Sequence, residues 1–205
     1  MTAIPMNAEP SLEDLVPSES EVLEAMALLP ERLAVVRTWV SAWVAAWNAR
    51  DVDAIADCVT DDIVYDDPGM YGELVVGKES FRANIEMVYR AFPDLLFVPS
   101  EWPPMFSLDG TRVAAPCRAI TTFSGDLSGG PSKLELAGTN RPLDIFCLDL
   151  YQFRDGKLCK WTALNQEFEM ARQAGFLPTN PLILSLLVKA QRTLAPIQRR
   201  VSRGR

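Results

Sequence analysis

The chain contains no histidine. That removes imidazole general bases, His-dependent nucleophilic triads and the commonest zinc ligand together. A basic surplus is missing as well: 20 Lys and Arg stand against 27 Asp and Glu, for a net charge of -7. Phosphate backbones need a basic face, so nucleic acid is not an expected partner. Cysteine is sparse, and Cys58, Cys117, Cys147 and Cys159 form neither a CxxC pair nor a regular framework. Reduced, mostly buried thiols of a cytoplasmic protein are expected, with no metal site and no cofactor. No apolar run is long enough to span a bilayer. The N-terminus lacks the basic-then-apolar order of a secretory leader.

What is present is organised around Asn140 to Trp161, NRPLDIFCLDLYQFRDGKLCKW. Successive strand residues point to opposite sides, so Leu143, Ile145, Cys147, Asp149, Tyr151 and Phe153 share one face. Arg154-Asp155-Gly156-Lys157 reads as a hairpin turn into a second strand. Asp149 is the sole charge on that apolar and aromatic face. A carboxylate there must be paired, hydrogen-bonded, held neutral or wetted by a pocket. A neighbouring strand or Arg118 is the structural way of satisfying it.

The chain before this stretch is mainly helical. Residues 1–30 form an acidic N-terminal extension without Lys or Arg, in which Ser18 and Glu21 resemble a capping box and Pro30 is expected to stop a short helix. Val36, Val40, Trp43 and Trp47 then make one helical stripe, with Trp39 at its edge. Asp51 can cap a second helix carrying Ile55, Cys58 and Val59. Ile63 to Asp67 reads as a short strand ending at Pro68-Gly69. Gly77 precedes a third helix with Phe81, Ile85, Val88 and Phe92 on one side.

Beyond Pro93 the period becomes two. Leu95 to Trp102, Arg112 to Phe123, Leu143 to Phe153 and Leu158 to Gln166 are strand candidates, with a Gly/Ser/Pro-rich loop from Ser124 to Pro131. Helices followed by mainly antiparallel strands mean an α+β domain over residues 31–175. A short helix follows from Phe168 to Gly175. Residues 176–205 hold a last helix opened by Asn180-Pro181 and a basic tail. That helix is apolar nearly all round at its start, which predicts burial against its own domain or a second subunit. Seven Lys or Arg and no acid follow Glu169. Attraction to the acidic end or simple solvation accounts for them, and a membrane partner is not expected.

Two clusters could carry chemistry: Asp149, and Tyr65-Asp66-Asp67-Pro68, where Tyr65 and Asp67 share a side. Asp before Pro-Gly is also ordinary turn chemistry, and that alternative stays open. The run Ala46-Trp47-Asn48-Ala49-Arg50-Asp51-Val52-Asp53-Ala54-Ile55, followed by Thr60 to Pro68, resembles the opening of the nuclear transport factor two-like superfamily. So do Gly77-Lys78-Glu79, Ala91-Phe92-Pro93-Asp94 and Phe153-Arg154-Asp155-Gly156-Lys157 with Trp161. The nearest patterns are the SnoaL-like polyketide cyclases and the ketosteroid isomerases, and the likeness covers roughly residues 33 to 175. It implies a cone-shaped half-barrel, a curved sheet wrapped by helices around an apolar cavity, and commonly a homodimer formed through the sheet.

The resemblance also implies roles. In ketosteroid isomerases an Asp base works beside a protonated Asp and a Tyr oxyanion donor. Asp67, before Pro68, matches the base; Asp149, four residues before Phe153, matches the protonated acid. The tyrosine's place falls at Trp43, and Tyr65 is the available hydroxyl. In the polyketide cyclases one pocket aspartate serves as acid and base, which points to Asp149; the supporting His of those relatives is absent. Trp43, Tyr89, Arg118, Tyr151, Trp161 and Asn165 would shape a site for a small hydrophobic carbonyl substrate. The limonene epoxide hydrolases offer an alternative, in which Tyr65, Arg118, Asp149 and Asn165 would orient a water. A non-catalytic binder of hydrophobic ligands, or a dimerising module, is the reading from a different class.

Overall fold

The computed structural model describes residues 18–68, 74–129, 135–178 and 180–202. Residues 1–17, Gly69 of the expected turn, loop residues 130–134 and the tail beyond Ser202 lie outside them. The elements in order are α1 (Glu19–Ala49), α2 (Val52–Asp57), β1 (Val59–Asp66), β2 (Val75–Val76), α3 (Lys78–Ala91), β3 (Leu96–Pro99), β4 (Met105–Phe106), β5 (Arg112–Phe123), β6 (Arg141–Arg154), β7 (Lys157–Asn165), α4 (Glu167–Gln173) and α5 (Pro181–Ser202).

The Ser18–Glu21 capping box forms: the Ser18 hydroxyl accepts from the Glu21 amide and the Glu21 carboxylate accepts from the Ser18 amide at 2.7 Å. The helix it starts does not stop at Pro30, as the sequence led us to expect, but runs through it to Ala49. Proline removes one backbone hydrogen bond from the ladder, while the capping box supplies two at the N-terminal end, well away from it. The buried stripe is Val36, Trp39, Trp43, Ala46 and Trp47. Trp39 thus belongs to the face, because its indole N–H reaches the Cys58 carbonyl at 2.8 Å, while Val40 turns outward. Asp51 caps α2 as expected, accepting from the Ala54 amide at 2.9 Å.

The sheet order is β2-β1-β7-β6-β5-β3, with β4 also on β5. All pairings are antiparallel except β1 with β7. That parallel pairing begins at Val59 opposite Leu158, so β1 is longer than the sequence reading, which placed Cys58 and Val59 on α2. Asp155 (φ 52) and Gly156 (φ 75) make the tight turn of the β6–β7 hairpin, as Asp-Gly between two strands predicts. α1 and α3 cover the inner face of this sheet. The core joins Trp39, Trp43 and Trp47 of α1, Phe81 and Ile85 of α3, and Tyr65, Tyr151 and Trp161 of the strands.

The last helix departs from expectation. Asn180 caps it through the Leu182 amide at 2.9 Å. Leu182 to Leu184 and Leu186 to Val188 are nonetheless exposed, so its apolar start is not buried against its own domain. No helix among the described residues is long and apolar enough to cross a membrane.

Candidate active site

The strand register assembles the site in rows across the inner face of the sheet. One row reads Tyr65, Trp161, Tyr151 and Val113 across β1, β7, β6 and β5. The next centres on Asp149, flanked by Ala163 on β7 and Ala115 on β5. A third runs Asn165, Cys147, Cys117. The row beside the carboxylate is therefore built from the smallest side chains, and space opens on both sides of it.

Asp149 is 4% exposed. Its Oδ1 accepts from Trp161 Nε1 at 2.9 Å, and its Oδ2 accepts from the Tyr151 hydroxyl at 2.9 Å and the Cys117 thiol at 3.6 Å. All three partners are neutral donors. Burial raises the Asp149 pKa above the ordinary carboxylate range, while the three donors pull it the other way. Burial, with the carboxylate next in effect, pushes the Tyr151 hydroxyl well above its usual range, so it stays a proton donor. The Cys147 thiol, burial and Asp149 likewise hold the Cys117 thiol far up.

Asp67 follows the end of β1. Its Oδ2 accepts from the Tyr65 hydroxyl at 3.0 Å and from Asn165 Nδ2 at 3.3 Å. Tyr65 is buried, and its hydroxyl is raised well above normal, first by burial, then by Asp67 and, more weakly, by Asp149. Both carboxylates thus act on one hydroxyl. Asp67, Tyr65, Asn165, Trp161 and Asp149 line a common cavity of about 160 Å³ whose remaining wall is mainly apolar. Asp149 and Trp161 also line a second cavity of about 540 Å³, roofed by Trp39, Trp43 and Tyr151. The acid stands in the partition between the two.

The other candidates fall in different places. Trp43 is buried, stacks on Trp39 at 4.9 Å and packs edge-on to Trp161 at 5.5 Å, in the wall of the larger cavity. Tyr151 lines that cavity too. Tyr89 lines neither: its hydroxyl donates to the Trp47 carbonyl at 2.8 Å, tying α3 to α1. Arg118 is a correction. Alternation along β5 carries it to the outer face, where its Nε donates to Asp144 Oδ1 at 2.9 Å in an exposed ion pair. It neither satisfies Asp149 nor reaches a cavity, so the Asp-Arg-Asp arrangement of an epoxide hydrolase is not formed with it. The sequence reading placed Trp161 and Tyr151 as substrate-shaping residues and missed their direct bonds to Asp149. The signal was available, since Tyr151 is two residues along the same strand face and Trp161 lies across the hairpin. Asn84, on the buried face of α3 and lining the smaller cavity, was missed outright.

A curved, largely antiparallel sheet wrapped by helices is the nuclear transport factor two-like fold. Within it, residues 40–161 match the model of the SnoaL-like domain, more than half of the chain, and the protein belongs to that family. Solved structures agree on the fold. AclR of Streptomyces galilaeus, a candidate hydroxylase, is 22% identical with a TM-score of 0.56, covering 85% of this chain and 98% of its own. A candidate SnoaL-like polyketide cyclase from Jannaschia is 16% identical with a TM-score of 0.58, covering 74% and 96%. IdmH of Streptomyces antibioticus, a candidate polyketide cyclase, is 20% identical with a TM-score of 0.53, covering 68% and 97%. By sequence, no curated protein matches.

Proposed function

We propose that this protein is a cofactor-independent acid/base enzyme, a cyclase or isomerase acting on a hydrophobic carbonyl compound of polyketide type. The observation that carries the reading is the shared cavity: Asp67 and Asp149 line one largely apolar space, and Asp149 is almost fully buried among neutral donors. A carboxyl raised by burial can hold and exchange a proton at neutral pH, where a surface Asp cannot.

Asp67 takes a proton alpha to the substrate carbonyl, and the electron pair of that C–H bond moves into the enolate. Asp149, in its protonated form, hydrogen-bonds the developing enolate oxygen. In a cyclisation the enolate carbon then attacks a second carbonyl of the same molecule, and the new alkoxide takes a proton back from the acid pair. In an isomerisation the proton returns at another carbon. Tyr65 and Asn165 fix the Asp67 carboxylate while the reaction proceeds; Tyr151 and Trp161 fix Asp149. The family of the chain supports this class of chemistry. Turnover tests the reading: Asp149→Asn keeps the fold and lowers kcat by about 100-fold or more, the scale of a lost general acid or base. Unchanged turnover in a folded Asp149→Asn variant would overturn it.

A further inference from the structure

α5 leaves seven large apolar side chains open to solvent: Leu182 to Leu184, Leu186 to Val188 and Leu194 are between 44% and 74% exposed. A single exposed leucine is ordinary, but seven such residues within about four turns of one helix are a surface made to be covered. Successive helical residues are turned by about 100°, so Leu182, Ile183 and Leu184 face three different ways. A protein face packed on one side of the helix would leave the other sides in water. Further along, the pattern settles. Ile183, Leu186, Leu187, Ala190 and Leu194 recur at the spacing of one helical face, and Ser185, Lys189 and Arg192 occupy the opposite one. Charge then narrows the choice of partner. Residues 181–205 hold six Lys or Arg and no Asp or Glu, in a chain whose net charge is -7. Two copies of α5 laid face to face would bring like charges together.

We infer that α5 docks on the surface of bilayers rich in anionic phospholipid, with its leucines among the acyl chains and Lys189 and Arg192 at the headgroups. An apolar stripe backed by a basic face, on a helix of low overall hydrophobicity, is what lies in the membrane interface. Acyl chains close around every side of the all-apolar first turn, as a protein face cannot. The helix lies on the bilayer and does not cross it: no helix among the described residues is long and apolar enough to span. From the sequence alone, burial of the apolar start made a membrane partner unnecessary. Its exposure in this chain changes that balance. Membrane docking stands apart from the enzyme reading, though a hydrophobic substrate of the kind proposed above would partition into the same bilayer.

Flotation of the full chain with lipid vesicles tests this, using phosphatidylcholine alone and phosphatidylcholine mixed with phosphatidylglycerol. The chain should rise with the mixed vesicles and on the order of tenfold less with the neutral ones. Added salt should release it, because screening weakens the headgroup attraction. Leu186→Asp together with Leu187→Asp puts acids into the apolar stripe and should abolish flotation. Both side chains are exposed, so the melting temperature at low protein concentration should hold. Lys189→Gln with Arg192→Gln should weaken binding to the mixed vesicles on the order of tenfold and leave the neutral ones unaffected. Absence of wild-type flotation with the mixed vesicles would overturn membrane docking. So would equal flotation with both kinds of vesicle, or flotation that survives the paired leucine substitutions. A dimer in sedimentation velocity that those substitutions dissociate, with no flotation of wild type, would overturn it too and assign the face to a second copy.

Discussion

At the scale of the residue, the behaviour of Asp149 follows from opposed terms. Burial disfavours its charged form, and donors from Trp161, Tyr151 and Cys117 favour it; burial prevails and the pKa is raised. A group whose folded pKa lies above its unfolded one contributes stability that is full below the ordinary carboxylate pKa. That contribution is lost as pH rises through the raised folded value. Asp149→Asn removes this dependence, so the variant should gain on wild type as pH rises from about 4 toward neutrality. Each tenfold weakening of ionisation corresponds to about 1.4 kcal/mol. Parallel stability curves in urea titrations at several pH values would contradict it. Trp161→Phe leaves Oδ1 without its indole donor, which should cost about 1–3 kcal/mol and move the alkaline limb of any pH–rate profile, where the Asp149 proton is lost, upward. A limb that moves downward would separate the indole from the acid. The sequence made Asp149 visible as one charge on a greasy strand face. It placed Tyr151 along the same face and Trp161 across the hairpin as neighbours, but the bonds themselves depend on register as well as on alternation.

At the scale of the element, the site depends on joints that hold strands and helices in register. Gly125 follows β5, and its amide donates to the Ala91 carbonyl at the end of α3 at 3.1 Å. A Cβ there would lie 1.9 Å from the Arg90 carbonyl oxygen. Gly125→Ala should therefore destabilise by more than about 1 kcal/mol, with the loss of apolar contacts between α3 and the sheet, as measured by chemical denaturation. An unchanged midpoint would show that the loop shifts freely. The Arg118–Asp144 pair lies on the outer face, so Arg118→Ala should cost at most about 1 kcal/mol. Elements with strict alternation or a strong turn were legible: β5, β6 and the Asp-Gly hairpin emerged nearly residue for residue. The parallel start of β1 was not, because Cys58 and Val59 suit a helix end as well as a strand, and only Leu158 across the sheet decides. Arg118 was misjudged for a related reason: its face is fixed by which residues of β5 turn inward.

At the scale of the whole molecule, the fold was readable because several weak patterns kept their order along the chain, from the Trp-rich helix to the Asp-Gly turn. The long α1 was obscured by Pro30, whose local signal says stop. α5 was read as buried because its first turns are apolar, yet they are exposed, so it adds little to the domain's own core. Truncation after Leu177 should leave the melting temperature at low protein concentration within a few degrees of wild type. A large drop that grows with protein concentration would show α5 packed against a second copy, one of the two arrangements expected from the sequence. The catalytic proposal needs only the sheet, α1 and α3, and should survive that truncation. Its central claim is that the acid between the two cavities ionises late. A carbon-13 NMR titration of the aspartate carboxyls, assigned with Asp149→Asn, tests this most directly. One resonance, missing in the variant, should titrate well above about 4, the range of a free aspartate; a midpoint for Asp149 at or below that range would contradict the account.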